Sequence, residues 1–153
     1  MDTGLEHRIL LRLQNLCVRR ECCESDIYAK AVKALDGDEE GAQEILHSLV
    51  EDKFVSNLRY ASAYAREKSQ ISGWGPVKIR YMLRQKGIDA DTISEAFEEV
   101  DLQSAQNRLE KILQVKYKQI ASDPQCKIKL LKYALNRGYE YDKIMAIVDK
   151  VMR

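Results

Sequence analysis

Few side chains in this sequence could carry covalent chemistry. The two histidines, His7 and His47, lie inside amphipathic patterns with no second histidine or carboxylate at metal spacing, so packing or surface exposure accounts for both. Cys17, Cys22, Cys23 and Cys126 contain no Cys-x-x-Cys pair; they fit zinc spacing poorly and read as reduced thiols packing as small hydrophobes. No Gly-x-x-x-x-Gly-Lys phosphate loop and no Gly-x-Ser-x-Gly elbow occurs. The expectation is a protein with no catalytic residue, no metal and no cofactor.

What remains is charge. Lys and Arg total 25 against 24 for Asp and Glu, a formal net charge of +1, so no global field draws the chain to nucleic acid or membrane. The charges are nevertheless segregated. Five bases and no acid lie between Lys68 and Ile88, and six acids and no base between Asp89 and Asp101. Within the basic stretch, Gly73-Trp74-Gly75-Pro76 precedes a segment carrying Lys78, Arg80, Arg84 and Lys86. Pro76 suits a first helical position and Gly87 the residue just past a helix end, so a short, wholly basic helix lies between them with Trp74 exposed at its entrance. Such a surface asks for an acidic partner. The acids at 89–101 fall opposite Ile93, Phe97 and Val100 and read as a solvated face.

The elements that position this helix come from a repeat. At a shift of 51 residues Ala42, Ile93 and Ile144 coincide, as do Ile45, Ala96 and Ile147; Leu46, Phe97 and Val148; and Leu49, Val100 and Val151. That i, i+3, i+4, i+7 spacing marks one helical face three times over. Gly87 and Gly138 share the register and Gly37 misses it by one; each stops a helix, and Asp38 or Glu39, Asp91 and Asp142 then cap the next. A further amphipathic segment precedes each pair, with Leu5, Ile9, Leu13, Leu16 and Cys17 in the first copy, Ala61, Tyr64 and Ala65 in the second, and Leu102, Ala105, Leu109, Ile112, Leu113, Tyr117 and Ile120 in the third. Pro124, like Pro76, precedes a second helix. No period-2 strand pattern is present. The expected fold is all-α: three tandem three-helix repeats, at residues 1–53, 54–101 and 102–153, in an elongated arrangement, straight or curved. The N-terminal residues carry no apolar leader and no segment nears the ~20 apolar residues of a membrane span, so a cytoplasmic monomer without membrane contact is expected.

The Gly-hydrophobic-Gly turn resembles the helix-hairpin-helix element, whose backbone amides touch DNA phosphate. A second resemblance covers nearly the whole chain. Gly75-Pro76, Ile79-Arg80, Leu83 and Lys86-Gly87-Ile88, the segment from Leu49 through Phe54-Val55-Ser56-Asn57-Leu58-Arg59-Tyr60-Ala61, and Arg137-Gly138-Tyr139 with Asp142-Lys143-Ile144 are similar to the bacterial RecX family of recombination regulators. Asn57 stands where that family commonly has an acid. The resemblance implies a non-catalytic protein of DNA repair and recombination and the SOS response, which binds the RecA filament along its groove and inhibits strand exchange, ATP hydrolysis and co-protease activity. Candidate partner contacts, chosen by local charge, are Trp74, Lys78, Arg80, Arg84 and Lys86 in the second repeat and Lys127, Lys129 and Lys132 in the third. Single- or double-stranded DNA stays open as a direct partner. The alternative readings are a helical module acting on the phosphate backbone and a structural helical adaptor.

Overall fold

The computed structural model describes residues 3–98 and 102–153. Along them run α1 (Thr3–Arg19), α2 (Glu24–Ala34), α3 (Glu39–Glu51), α4 (Asn57–Gln70), α5 (Pro76–Gln85), α6 (Ala90–Phe97), α7 (Leu102–Ile120), α8 (Cys126–Asn136) and α9 (Tyr141–Val151). No strand occurs among the described residues, and the fold is all-α as expected. No described helix is long and apolar enough to cross a membrane.

The chain divides into two compact units, one of Met1–Ala63 with Arg84–Ala96 and one of Tyr64–Leu83 with Phe97–Arg153. In the first, Ile9, Leu13 and Cys17 of α1 meet Ile27 and Ala31 of α2 and Ile45, Leu46 and Leu49 of α3. In the second, Leu109 and Leu113 of α7 meet Leu130 and Ala134 of α8 and Ile144 and Val148 of α9. Each helix supplies residues three and four apart to its core, which is the stripe that drives an amphipathic helix to pack.

The 51-residue register holds in the packing. Ala42, Ile93 and Ile144 are all buried, as are Leu46, Phe97 and Val148; Ile45 and Ala96 are buried and Ile147 half-buried. Val100, Glu99 and Asp101 lie outside the described residues, as does the side chain of Leu102.

The helix stops fit the register better than glycine spacing suggested. Positions 36, 87 and 138 are 51 apart, and Asp36, Gly87 and Gly138 all take positive φ, at 54°, 78° and 93°. In the first copy Asp36 holds the register position, and Gly37 beside it is left-handed as well, at 94°. Gly37 N–H bonds the Val32 carbonyl and Asp36 N–H the Lys33 carbonyl, the paired pattern that closes a helix through a left-handed residue. Asp tolerates that conformation better than most side chains, which lets an acid stand where the later copies have glycine. The same closure ends α3, where Lys53 takes φ 66° while Phe54 N–H bonds the Leu49 carbonyl.

The caps also depart from expectation in the later copies. Asp38 caps α3, its Oδ1 accepting from Gly41 N–H. At α6 the cap is Asp89, whose Oδ1 accepts from Thr92 N–H at 2.8 Å, and Asp91 falls in the first turn. Asp142 likewise lies in the first turn of α9, with Glu140 at the cap position. A helix N-terminus also takes a partner from another element. Cys23, at the cap of α2, makes no side-chain cap bond, and Glu24 N–H instead donates to Asn57 Oδ1 at 2.9 Å. An aspartate at position 57 would accept the same bond, so Asn57 supplies the acceptor without the charge.

Candidate partner-binding surface

The Gly73-Trp74-Gly75-Pro76 turn is docked, backbone to backbone, on the turn that follows α8. Gly75 N–H donates to the Arg137 carbonyl at 2.7 Å and Val77 N–H to the Gly138 carbonyl at 2.9 Å. The Arg137 guanidinium donates to the Ser72 carbonyl, and Tyr139 Oη to the Gly73 carbonyl at 3.0 Å. Trp74 N–H closes the end of α4 on the Lys68 carbonyl. Two glycines make the approach possible. A Cβ on Gly75 would stand 2.6 Å from the Gly138 carbonyl carbon, and one on Gly138 would stand 2.6 Å from the Lys78 backbone nitrogen. The amides of Gly75 and Val77, at the start of α5, are thus committed inside the protein. These two amides are therefore not offered to a phosphate.

Trp74 is half-buried rather than exposed. Its indole lies edge-on to Tyr64, with ring centroids 6.4 Å apart, beneath two ammonium groups: Lys78 Nζ at 4.1 Å from the ring centroid and Lys68 Nζ at 4.9 Å. Each such cation–π contact is worth about 0.5–1 kcal/mol at a solvated site. The indole therefore fixes where two positive charges stand. Burial pushes the Tyr139 phenol above its ordinary pKa, which keeps it a neutral donor to Gly73.

The other candidate residues separate into distinct settings. On α5, Arg80 and Arg84 are exposed one turn apart, with the Arg80 guanidinium 4.3 Å from the centre of the Phe97 ring. Val77 and Tyr81 complete their stripe at i, i+3, i+4, i+7 and are 48% and 61% exposed. The sequence reading missed both; an apolar pair at helical spacing on the face opposite Ile79 and Leu83 was the available signal. Exposed Tyr beside Arg is the composition of interface anchors. Lys86 points away from this stripe into an ion pair with Asp26 at 3.0 Å, while its carbonyl accepts from Ser25 Oγ. On α8, Lys127 pairs with Asp149 at 3.2 Å, Lys129 with Asp123, and Lys132 is exposed. Surface pairs of this kind contribute about 0–1 kcal/mol, so a partner's acids can displace them at little cost. Among the described residues, no three His, Cys, Asp or Glu side chains group as metal ligands.

The chain resembles known proteins in sequence and in fold. Residues 56–96 match the family described as RecX, second three-helix domain. The chain is similar to "Regulatory protein RecX" of Clostridium tetani, 28% identical over 84% of this chain and 60% of the relative. The protein of the same name from Neisseria meningitidis is 28% identical over 87% of this chain and 84% of the relative. The chain thus spans less than two thirds of the Clostridium tetani protein's length. Among solved structures, RecX from Lactobacillus salivarius superposes with a TM-score of 0.84 at 20% identity, covering 97% of both chains. A further RecX crystal structure superposes with a TM-score of 0.83 at 24% identity.

Proposed function

The chain belongs to the RecX family of regulatory proteins, and from that membership we propose that it is a non-catalytic cytoplasmic regulator that binds the RecA–DNA filament and inhibits its recombinase, ATPase and co-protease activities. The observation that carries the proposal is the exposed Val77-Arg80-Tyr81-Arg84 stripe on α5, in a helix with no acid at all. Two arginines flanking a tyrosine can meet carboxylates or phosphates bidentately while the ring covers apolar surface. A filament of protein wound on nucleic acid offers both kinds of group. Three three-helix repeats, at 1–53, 54–101 and 102–153, would carry such contacts at successive positions along it. Lys78 and Trp74 add a fixed charge beside the stripe; Lys127, Lys129 and Lys132 belong to the third repeat's share of the surface.

Co-sedimentation with RecA–single-stranded DNA filaments, compared with DNA alone, tests the partner. The protein should pellet with the filament and cut its ATP hydrolysis. Replacing Arg80 and Arg84 together by Glu should weaken that inhibition at least tenfold with helix content unchanged. Lys86 is left intact in this variant because Lys86→Glu would set a carboxylate against Asp26 and confuse folding with binding. Pelleting with DNA alone, with affinity falling steeply as salt rises, would favour the direct phosphate-binding reading instead. Undiminished inhibition by the double variant would remove α5 from the interface.

A further inference from the structure

A second basic surface lies in the first unit, on residues that the sequence reading passed over. From His7 to Arg20 the chain has four arginines, Arg8, Arg12, Arg19 and Arg20, and no acid, so α1 is wholly basic beyond Glu6 in its first turn. Its solvent face is not simply a charged, solubilising one. Leu11 and Val18 stand on it 45% and 74% exposed, among Arg8, Arg12, Asn15 and Arg19. Beside that face, α1 and α2 part to leave an open groove of about 620 Å³. Leu13, Leu16 and Ala34 form its floor. Arg12 and Arg19 stand along one wall and Lys30 and Lys33 along the other, all four exposed. The lining includes no acid and no aromatic ring. Among the described residues, none of these four cations makes an ion pair with a carboxylate.

We infer that the α1–α2 groove is a docking surface for an acidic amphipathic helix of a partner protein. The floor is aliphatic, which suits Leu-like anchors repeating at i, i+3, i+4 and i+7. The walls are cationic on both sides, which suits a helix whose polar flanks carry Glu or Asp on both edges of its apolar stripe. Arg12 and Arg19 are two turns apart, about 10 Å along α1, so the occupant needs about three turns to meet both. A nucleic-acid strand is the poorer fit. Single strands are held by stacking bases on aromatic side chains, and this groove has none. The surface is independent of the α5 stripe and of the identity of the filament partner.

The test uses the full chain and a fluorescein-labelled 14-residue helical peptide of Leu and Glu, with Leu at i, i+3, i+4 and i+7, read by anisotropy. A scrambled peptide of the same composition and a 30-nucleotide single-stranded DNA are run beside it. The amphipathic peptide should bind at least tenfold tighter than the scrambled one. Arg12→Glu with Lys33→Glu should abolish that binding, Arg12→Gln with Lys33→Gln should weaken it severalfold, and Arg80→Glu with Arg84→Glu should leave it unchanged. Both groove positions are exposed, so the variants should keep the parent's circular dichroism; if the charge-reversed one does not, the Gln pair decides. Equal binding of the scrambled peptide would reduce the groove to undirected charge and overturn the inference. So would binding of DNA but not peptide, or no peptide binding at millimolar concentration.

Discussion

Gly75→Ala probes the joint that seats the start of α5. The added Cβ would stand 2.6 Å from the carbonyl carbon of Gly138, a backbone atom that no side-chain rotation can move aside. The two turns must separate, and two hydrogen bonds of 2.7 and 2.9 Å cross between them. Each amide left stranded in a buried setting costs about 1–3 kcal/mol, so the substitution should cost about 2–6 kcal/mol. Against a total of about 5–15 kcal/mol for a native domain, that is a large fraction. Trp74 is the single tryptophan of the chain and sits in the joint, so its fluorescence follows the unit concerned. With a urea slope of about 1–3 kcal/mol/M, the midpoint should fall by about 0.7 M or more. Val77→Ala, two residues on at an exposed position of the same unit, should stay within about 0.5 kcal/mol of the parent. A Gly75→Ala midpoint indistinguishable from that of Val77→Ala would refute the backbone-docking argument.

Three further outcomes are expected. Asn57→Ala should cost about 1 kcal/mol in the first unit, because Glu24 N–H at the start of α2 loses its acceptor, whereas Asn57→Asp should keep the stability; equal losses in urea titrations would show that the bond is idle. Lys53→Gly should gain about 0.5–1 kcal/mol by relieving φ 66° at the end of α3, read as a raised urea midpoint; a loss would mean that the strain is compensated there. Stability should fall at both pH extremes. Asp89 is held below the ordinary carboxylate pKa, first by the hydrogen bond from Thr92 N–H, so its contribution is present above that ordinary value and lost as acid protonates it; the Thr92 amide resonance should shift with that titration. Tyr139 and Cys17 are raised by burial, Cys17 to about 12, so their contribution is present below their ordinary values and lost as pH rises through and above 9–10. An alkaline limb of the stability curve as flat as the neutral region would contradict both assignments.

Apolar spacing, punctuated by Pro76 and the glycine stops, was enough to read the nine helices seen among the described residues, because burying i, i+3, i+4 stripes is what helices do in the structure. Stops and caps were legible only in part. Asp36 and Lys53 end helices in a left-handed conformation that a search for glycine passes over, and the cap of α6 is Asp89 rather than Asp91 because the helix already starts at Ala90, which puts Asp91 inside its first turn. In the candidate site, local charge found α5 but not the fates of its ends. That Trp74 lies under two lysines, that Lys86 turns back to Asp26, and that Gly75 faces Gly138 are contacts that pass from one element to another, for which spacing along one helix gives no sign.

The meeting of Gly75 with Gly138 has a consequence for how the sequence can drift. With no side chain on either glycine, main-chain atoms set how closely the two turns approach, while the Arg137 and Tyr139 side chains add hydrogen bonds across them. A substitution at one glycine cannot be rescued by shrinking the other, since each is already as small as a residue can be. The joint therefore behaves as a fixed hinge pin: surrounding residues can vary and retune the surface that α5 presents, while this one spacing is inherited whole or lost.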